Sequence, residues 1–143
     1  MSLLSMNRRQ MRESIVDRMA DLAEYLFGAQ HAGPAVVALH LTAVVAIVYM
    51  IAVPQTLIPV AIGACLWLLI LTAHLFFDGC LIVRVERKLL RDDKWYGFWT
   101  IPFGLMGVPT KKQRTMAYVS AGAFATIVTA WRLWGLGKIE LFR

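Results

Sequence analysis

The sequence predicts an all-α membrane protein, with an amphipathic N-terminal helix followed by three transmembrane helices. Hydrophobic residues make up 59% of the 143 residues, against about 45–50% in soluble domains, and only 17% are charged. Long apolar runs alternate with charged stretches, and a run of about 20 apolar residues matches the roughly 30 Å hydrocarbon core of a bilayer. We therefore expect residues 1–33 to form an interfacial helix and residues 34–143 to form a membrane domain.

The net charge of +6 indicates an acidic partner, and the position of the charges indicates which one. The 15 Lys and Arg residues lie almost entirely outside the apolar runs, as in the loops of membrane proteins. We expect the partner to be a lipid bilayer and expect no nucleic acid. Cys65 and Cys80 would be separated by about 22 Å on one continuous helix, which excludes a disulfide between them.

The N-terminal segment has the pattern of an amphipathic helix. Apolar residues recur at positions 11, 15, 19, 22 and 26, charged residues occupy the other faces, and Gly28 ends the pattern. Such a helix lies in the headgroup plane, packs on a partner, or folds on loops of its own chain. The four arginines of this segment also fit a mitochondrial presequence, but its four acidic residues do not.

Two spans follow as a tight antiparallel hairpin. The first covers residues 34–53, begins with Pro34 and is interrupted only by His40 and Thr42. Residues 54–56 leave almost no loop before the second span at residues 57–77. That helix either continues to about residue 90 or kinks at Gly79, and the pattern allows both.

An aromatic segment at residues 92–110 separates the second and third spans. Its glycines and prolines exclude a long helix, and amphipathic aromatic side chains favour the headgroup level. We expect an interfacial loop here, with a fourth short or re-entrant segment as the alternative. The candidate interface aromatics are Trp95, Tyr96, Trp99 and Phe103.

The third predicted span covers residues 115–134 and carries a face of small residues. Small side chains let two helix backbones approach closely, so this face packs within the chain or against another subunit. Arg132 is expected to extend towards the far interface. The residues of the packing face are Ser120, Ala121, Gly122, Ala125 and Thr126.

The distribution of basic residues predicts the orientation in the membrane. Four arginines precede the first span and eight Lys or Arg residues lie between the second and third spans, whereas three lie from Arg132 onward. The positive-inside rule then predicts that the N-terminus and the loop at residues 78–114 face the cytoplasm, or the matrix or stroma of an organelle.

Ionisable residues near the ends of the first two spans form a candidate polar cluster: His40, His74, Asp78, Cys80 and Glu86. Charged groups at membrane depth are costly, which makes them functional candidates. The two histidines are expected at similar depth, and Asp78 follows His74 by one helical turn. A hydrogen-bonded pair between helices is the simplest interpretation, and His40 and His74 ligating haem or chlorophyll is an alternative.

No other cofactor or catalytic signature is present in the sequence. A metal site would need three or four ligands, and the cluster supplies them only if the second helix bends. We expect no metal. The sequence contains no glycine-rich phosphate loop, no His-Glu-x-x-His and no Cys-x-x-Cys motif.

Residues 74–91 resemble the end of the second span in a group of uncharacterised small membrane proteins of bacteria and large viruses. Those proteins typically read Cys-x-Leu-Thr-x-Leu-Glu there and carry a histidine in the first span, as at His40. In this chain Val83 replaces the threonine, and the positions that match in kind are Cys80, Ile82, Val85 and Glu86. The resemblance implies a hairpin architecture of three or four spans.

Three functions follow as hypotheses from these patterns. A small helical membrane protein has little room for a substrate cavity, so we expect a non-catalytic accessory or scaffold subunit of a larger membrane complex, or self-association. The alternative is a redox or proton-handling subunit that uses His40, His74 and Asp78. A third is a membrane enzyme that acts on lipid and admits it through the aromatic loop.

Overall fold

A computed structural model describes residues 7–95, Gly97 and residues 111–141, with the side chains of residues 111–115, 117, 118, 121 and 137–141 left aside. The described residues form helices and no strand, which confirms the all-α prediction. In chain order the helices are α1 (Arg8–Phe27), α2 (Ala32–Ala52), α3 (Leu57–Phe77), α4 (Leu81–Leu90) and α5 (Lys111–Leu141).

Helix α1 starts earlier than its apolar pattern predicted because Asn7 caps it. The Asn7 side chain accepts a hydrogen bond from the first turn, and its own backbone N–H donates to Gln10 Oε1 at 3.2 Å. This reciprocal capping box satisfies two of the backbone donors that every helix start leaves unpaired. The helix ends at Gly28, as predicted, where a φ of +75° favours a residue without Cβ.

Helices α2 and α3 are long and apolar enough to cross a membrane. Each has 21 residues, about 31 Å of helix. Only 11% and 17% of their most apolar 18-residue windows are buried by the rest of the described chain. A core helix of a soluble protein would be mostly buried, so this exposed apolar surface favours lipid contact.

The third predicted span corresponds to α5, which has 31 residues. Within the described part of the chain, only α2 and α3 satisfy both the length and the hydropathy expected of a span. The polar and small residues of α5 make its mean hydropathy lower than that of α2 and α3. That α5 crosses the membrane therefore stays a prediction.

The second apolar segment breaks at residues 78–80 and does not continue to residue 90 as one helix. Asp78 and Gly79 have φ values of +54° and +121°, and the Gly79 N–H donates to the His74 carbonyl at 2.9 Å. A residue in the left-handed region followed by a bond back to the last turn is the Schellman arrangement that ends helices. Of the two alternatives that the sequence left open, the interruption at Gly79 is the one observed.

The chain divides into two compact units, and the first contains the candidate polar cluster. It comprises Met1–Thr42 and Ala73–Gly107. Its core joins α1 to α4 through Val16, Ala20 and Val85, all of them buried. At the edge of this contact, Lys88 Nζ lies 2.9 Å from Asp17 Oδ1. The amphipathic helix is thus packed against its own chain.

The second unit comprises Ala43–Thr72 and Val108–Arg143. Two contacts near the C-terminal end of α2 show how its helices pack. A Cβ atom built on Gly63 would lie 3.0 Å from Ile51 Cγ1, so α2 and α3 approach each other closely there. The Arg132 guanidinium donates to the carbonyl oxygens of Ile51, at 3.3 Å, and Pro54, at 2.5 Å. Arg132 therefore binds carbonyls at the C-terminal end of α2, where a cation is favourable.

Candidate functional site

The break between α3 and α4 places Cys80 at the start of α4. Cys80 is the residue that precedes the first turn of this helix, and its side chain is half-buried. The reversal is held by Arg84 Nη2, which donates to the Asp78 carbonyl at 3.0 Å. The positive end of the α4 helix dipole favours negative charge at this position. A thiol here is in a position that stabilises its thiolate.

Helices α2 and α4 meet at a buried pair of polar side chains. His40 Nδ1 lies 2.7 Å from Glu86 Oε1, and only 1% of the Glu86 side chain is exposed. Since a carboxylate accepts hydrogen bonds, this contact assigns the proton of the imidazole to Nδ1. Nε2 is then the ring nitrogen that remains for a second partner.

Trp95 holds Glu86 from the other side. Its indole Nε1 donates to Glu86 Oε2 at 2.6 Å, so both carboxylate oxygens have a partner. The Trp95 carbonyl in turn accepts from Arg87 Nε at 2.5 Å. Gly97 follows at a φ of +67°, where a Cβ would lie only 3.2 Å from Val83 Cγ2. The chain after α4 therefore folds back closely over Glu86.

The Cys80 sulfur lies within hydrogen-bonding reach of His40 and His74. Burial raises the pKa of the Cys80 thiol, but the hydrogen bonds from the two histidines, the backbone of Val83 and the charge on His74 outweigh it. Together they lower the pKa from 9.0 to about 6. At neutral pH the sulfur is therefore mostly thiolate, the nucleophilic form of cysteine.

These contacts connect Cys80, His40 and Glu86 in series. A nucleophile beside a base, which is itself oriented by a buried acid, is the general arrangement of covalent catalysis. No family model, curated protein or solved structure matches the chain. In the described part of the chain, no three His, Cys, Asp or Glu side chains are grouped so that they could hold a metal ion.

The structure brings together four of the five residues of the predicted polar cluster. His40 pairs with Glu86, and His40 and His74 each hydrogen-bond to Cys80, whereas Asp78 is exposed and lies beyond the end of α3. The helical spacing that paired Asp78 with His74 does not extend to it, because α3 ends at Phe77. The acid that pairs with a histidine in the structure is Glu86.

The other candidate residues lie away from this cluster. On α5, a Cβ on Gly122 would lie 3.5 Å from Leu71 Cδ1, and Thr126 Oγ1 accepts from Trp67 Nε1 at 3.4 Å. Part of the small-residue face therefore packs within the chain, while Ser120 is exposed and Ala125 is half-buried. Tyr96, Trp99, Phe103 and the side chain of Ala121 lie outside the described residues.

Sequence reasoning missed the role of Trp95. It assigned this residue to the membrane interface as an aromatic, whereas its N–H is a donor to a buried carboxylate. The sequence carries only one relevant signal. Glu86 has no cation one helical turn before it, so its carboxylate needs a hydrogen-bond donor from elsewhere in the chain. No spacing rule connects such an acid to a tryptophan in the next loop.

Proposed function

We propose that the chain is an integral membrane protein that carries out acyl transfer through the thiol of Cys80. His40 is the general base that takes the thiol proton, and Glu86 is a positioning residue that orients His40. The observation that carries this proposal is that His40 Nδ1 lies 2.7 Å from Oε1 of a carboxylate that is 1% exposed, and a hydrogen bond from His40 also lowers the pKa of the Cys80 thiol. Such an arrangement supports nucleophilic chemistry more directly than any other contact in the described chain.

The reaction proceeds in two balanced steps. The Cys80 thiolate attacks the carbonyl carbon of an ester or thioester, and a sulfur–carbon bond forms. The bond to the leaving alkoxide or thiolate then breaks, and the leaving group takes the proton that His40 received from Cys80. In the second step a water or other acceptor attacks the thioester, with His40 accepting its proton, and the Cys80 thiol is regenerated.

The membrane assignment rests on α2 and α3. Their length and their exposed apolar surface fit two bilayer spans, and the excess of basic residues before α2 and after α3 fits a cytoplasmic, matrix or stromal location for those segments. Resistance of the protein to alkaline extraction from membranes tests the first statement. Epitope tags before residue 8 and within residues 92–95 test the second, since both should be labelled from the same side.

The accessory or scaffold role stays a prediction. Both surfaces that it relied on contact the chain itself, because α1 packs on α4 and Thr126 bonds to Trp67. Ligation of haem or chlorophyll also stays a prediction. A ligand on His40 or His74 would have to displace the hydrogen bonds that these residues make to Cys80.

The direct test is transfer of an acetyl group from p-nitrophenyl acetate to the purified protein. Cys65 is an internal control, because it is exposed on α3 and precedes His74, the nearest cluster residue in sequence, by nine residues. We expect mass spectrometry of the peptides to find a hydroxylamine-labile acetyl group on Cys80 and little on Cys65. Equal acetylation of both cysteines, or a rate of hydrolysis of the acetyl group on Cys80 that is unaffected by His40→Asn, would contradict the proposal.

A further inference from the structure

The depth of the Cys80 thiol in the membrane indicates where its substrate resides. His40 follows the first residue of α2 by about 12 Å of helix rise, and His74 precedes the last residue of α3 by about 4.5 Å. Both contact the same sulfur. If α2 and α3 span the hydrocarbon core, the thiol lies between these depths, on the acyl-chain side of the boundary at which the ester carbonyls of lipids are found.

The surface beside the site is apolar. Leu39 and Leu41 flank His40 on α2 and Leu75 follows His74 on α3; all three are exposed, and Leu75 is the most exposed at 76%. A site built for a water-soluble donor would have a polar approach. The side chains that an acyl chain would cover are Leu39, Leu41 and Leu75, whereas the guanidinium of Arg8 lies 5.2 Å from the ring centre of Phe76.

Positive charge collects at the break between α3 and α4. Arg12 Nη1 donates to the Phe77 carbonyl at 3.0 Å and Arg84 Nη2 to the Asp78 carbonyl, so both guanidinium groups lie at the break that carries Cys80. Burial, followed by the like charges of Arg12 and Arg87, lowers the pKa of Arg84, and the negative charges of Asp78 and Cys80 offset this only in part. An anion placed beside Arg84 would relieve this repulsion, and phosphate is the anion that arginine binds best.

From these three observations we infer that the acyl donor is a long-chain acyl ester or thioester with a phosphate in its headgroup. This inference rests on the proposed function and adds its substrate class. The apolar surface on α2 and α3 receives the acyl chain, the carbonyl meets the Cys80 sulfur, and Arg84 and Arg12 receive the phosphate. A phospholipid and a fatty acyl thioester of a phosphorylated carrier share this chemistry.

The transfer is balanced in the same way for both donors. With a phospholipid, the carbon–oxygen bond of the ester breaks and the lysophospholipid leaves with the proton from His40. With an acyl thioester, the carbon–sulfur bond breaks and the carrier leaves as a free thiol. In each case Cys80 keeps the acyl group as a thioester, and no oxidant or reductant takes part.

The test compares donors on the full-length protein with Cys65→Ser, reconstituted in lipid nanodiscs. The donors are palmitoyl and butyryl coenzyme A, a dipalmitoyl phospholipid, and dipalmitoylglycerol as the neutral ester without phosphate. We expect a hydroxylamine-labile palmitoyl group on Cys80 and at least about tenfold faster transfer from palmitoyl than from butyryl donors, since each buried methylene favours binding. The phospholipid and palmitoyl coenzyme A arms identify the source of the acyl group.

A charge variant tests the role of Arg84. Arg84→Gln keeps a hydrogen-bond donor for Asp78 but loses the positive charge, and we expect the ratio of phospholipid to dipalmitoylglycerol rates to fall at least about fivefold. Arg18→Gln is the matched control, because Arg18 is an exposed arginine on α1, and it should leave the ratio unchanged.

The outcomes separate the inference from the proposed function. Acetylation of Cys80 by p-nitrophenyl acetate with no preference for long chains, or with no preference for phosphate, would overturn the inference and leave the proposed function standing. Absence of acylation by every donor, p-nitrophenyl acetate included, would overturn both. Acyl transfer that persists in Cys80→Ser at the rate of the parent protein would also overturn both.

Discussion

The ionisation of Cys80 gives the sharpest prediction. Burial raises the pKa of this thiol, and the hydrogen bonds from His40 and His74 are the principal effects that bring it down from 9.0 to about 6. In the double variant His40→Asn with His74→Asn, we expect the midpoint of the pH profile for alkylation to rise from about 6 to 9 or above. Each single variant should lie between these values, because one histidine remains.

The size of the rate change follows from two opposing effects. At pH 7 the thiolate fraction falls from about 90% to about 1% when the pKa rises from about 6 to 9. The nucleophilicity of a thiolate rises with the pKa of its thiol, with a Brønsted slope of about 0.45, so each thiolate of the double variant reacts about 20-fold faster. The double variant should therefore react only about fourfold more slowly at pH 7, and above about pH 8 it should react faster than the parent protein.

The measurement is the rate of iodoacetamide alkylation from pH 5 to 10 in a Cys65→Ser background, followed by intact mass. Cys80→Ser with Cys65 retained gives the profile of the other cysteine, and thermal unfolding verifies that each variant is folded. Two profiles that never cross would refute the reasoning, as would a parent midpoint near 9. A midpoint that rises in the single variants by the same amount as in the double variant would show that the two histidines do not act independently on the sulfur.

Four further variants test the contacts around the site and in the second unit. Glu86→Gln should lower the free energy of unfolding by about 1–3 kcal/mol and raise the alkylation midpoint of Cys80, because a neutral amide orients His40 less strongly; an unchanged midpoint would remove Glu86 from its positioning role. Trp95→Phe removes one hydrogen bond to Glu86 and should lower the free energy of unfolding in denaturant by about 1.5–3 kcal/mol. An unchanged free energy would show that the indole N–H does not bond to Glu86. Gly63→Ala should destabilise by about 1–3 kcal/mol because its Cβ would lie 3.0 Å from Ile51 Cγ1, whereas the control Gly135→Ala, with nothing within 4 Å, should be neutral or stabilising. Arg132→Met leaves the carbonyls of Ile51 and Pro54 without this donor and should lower the melting temperature, whereas Arg18→Gln should not.

Much of the helical framework could be predicted because it depends on local sequence. The bounds of α3 coincide with the predicted span of residues 57–77, and Gly28 ends α1 where the pattern predicted. Both features follow from length, apolar composition and the conformational freedom of glycine. The start of α1 was predicted three residues too late, because the apolar pattern ignores the cap that Asn7 provides.

The membership of the polar cluster was largely predictable, but its geometry was not. Ionisable residues in apolar segments are conspicuous in a sequence, so His40, Cys80 and Glu86 could be selected together. Their contacts depend on the reversal at Asp78 and Gly79, where a non-glycine residue adopts a φ of +54°. Aspartate is one of the few residues other than glycine that adopt this conformation, but the sequence does not predict the reversal, which is also held by a hydrogen bond from Arg12 on α1 to the Phe77 carbonyl.

The burial of Glu86 bears on the proposed function. Desolvation of a carboxylate is expensive, and apolar side chains of similar volume in place of a buried polar pair often give equal or greater stability. Stability alone therefore does not account for a glutamate that is 1% exposed between His40 and Trp95. What an apolar replacement would lose is the orientation of His40, and through it the thiolate of Cys80. Simultaneous replacement of His40, Glu86 and Trp95 by Leu, Leu and Phe should thus retain the helical fold while the alkylation midpoint of Cys80 rises. Such a variant would be stable but less reactive at Cys80, as expected if these polar residues serve the proposed chemistry.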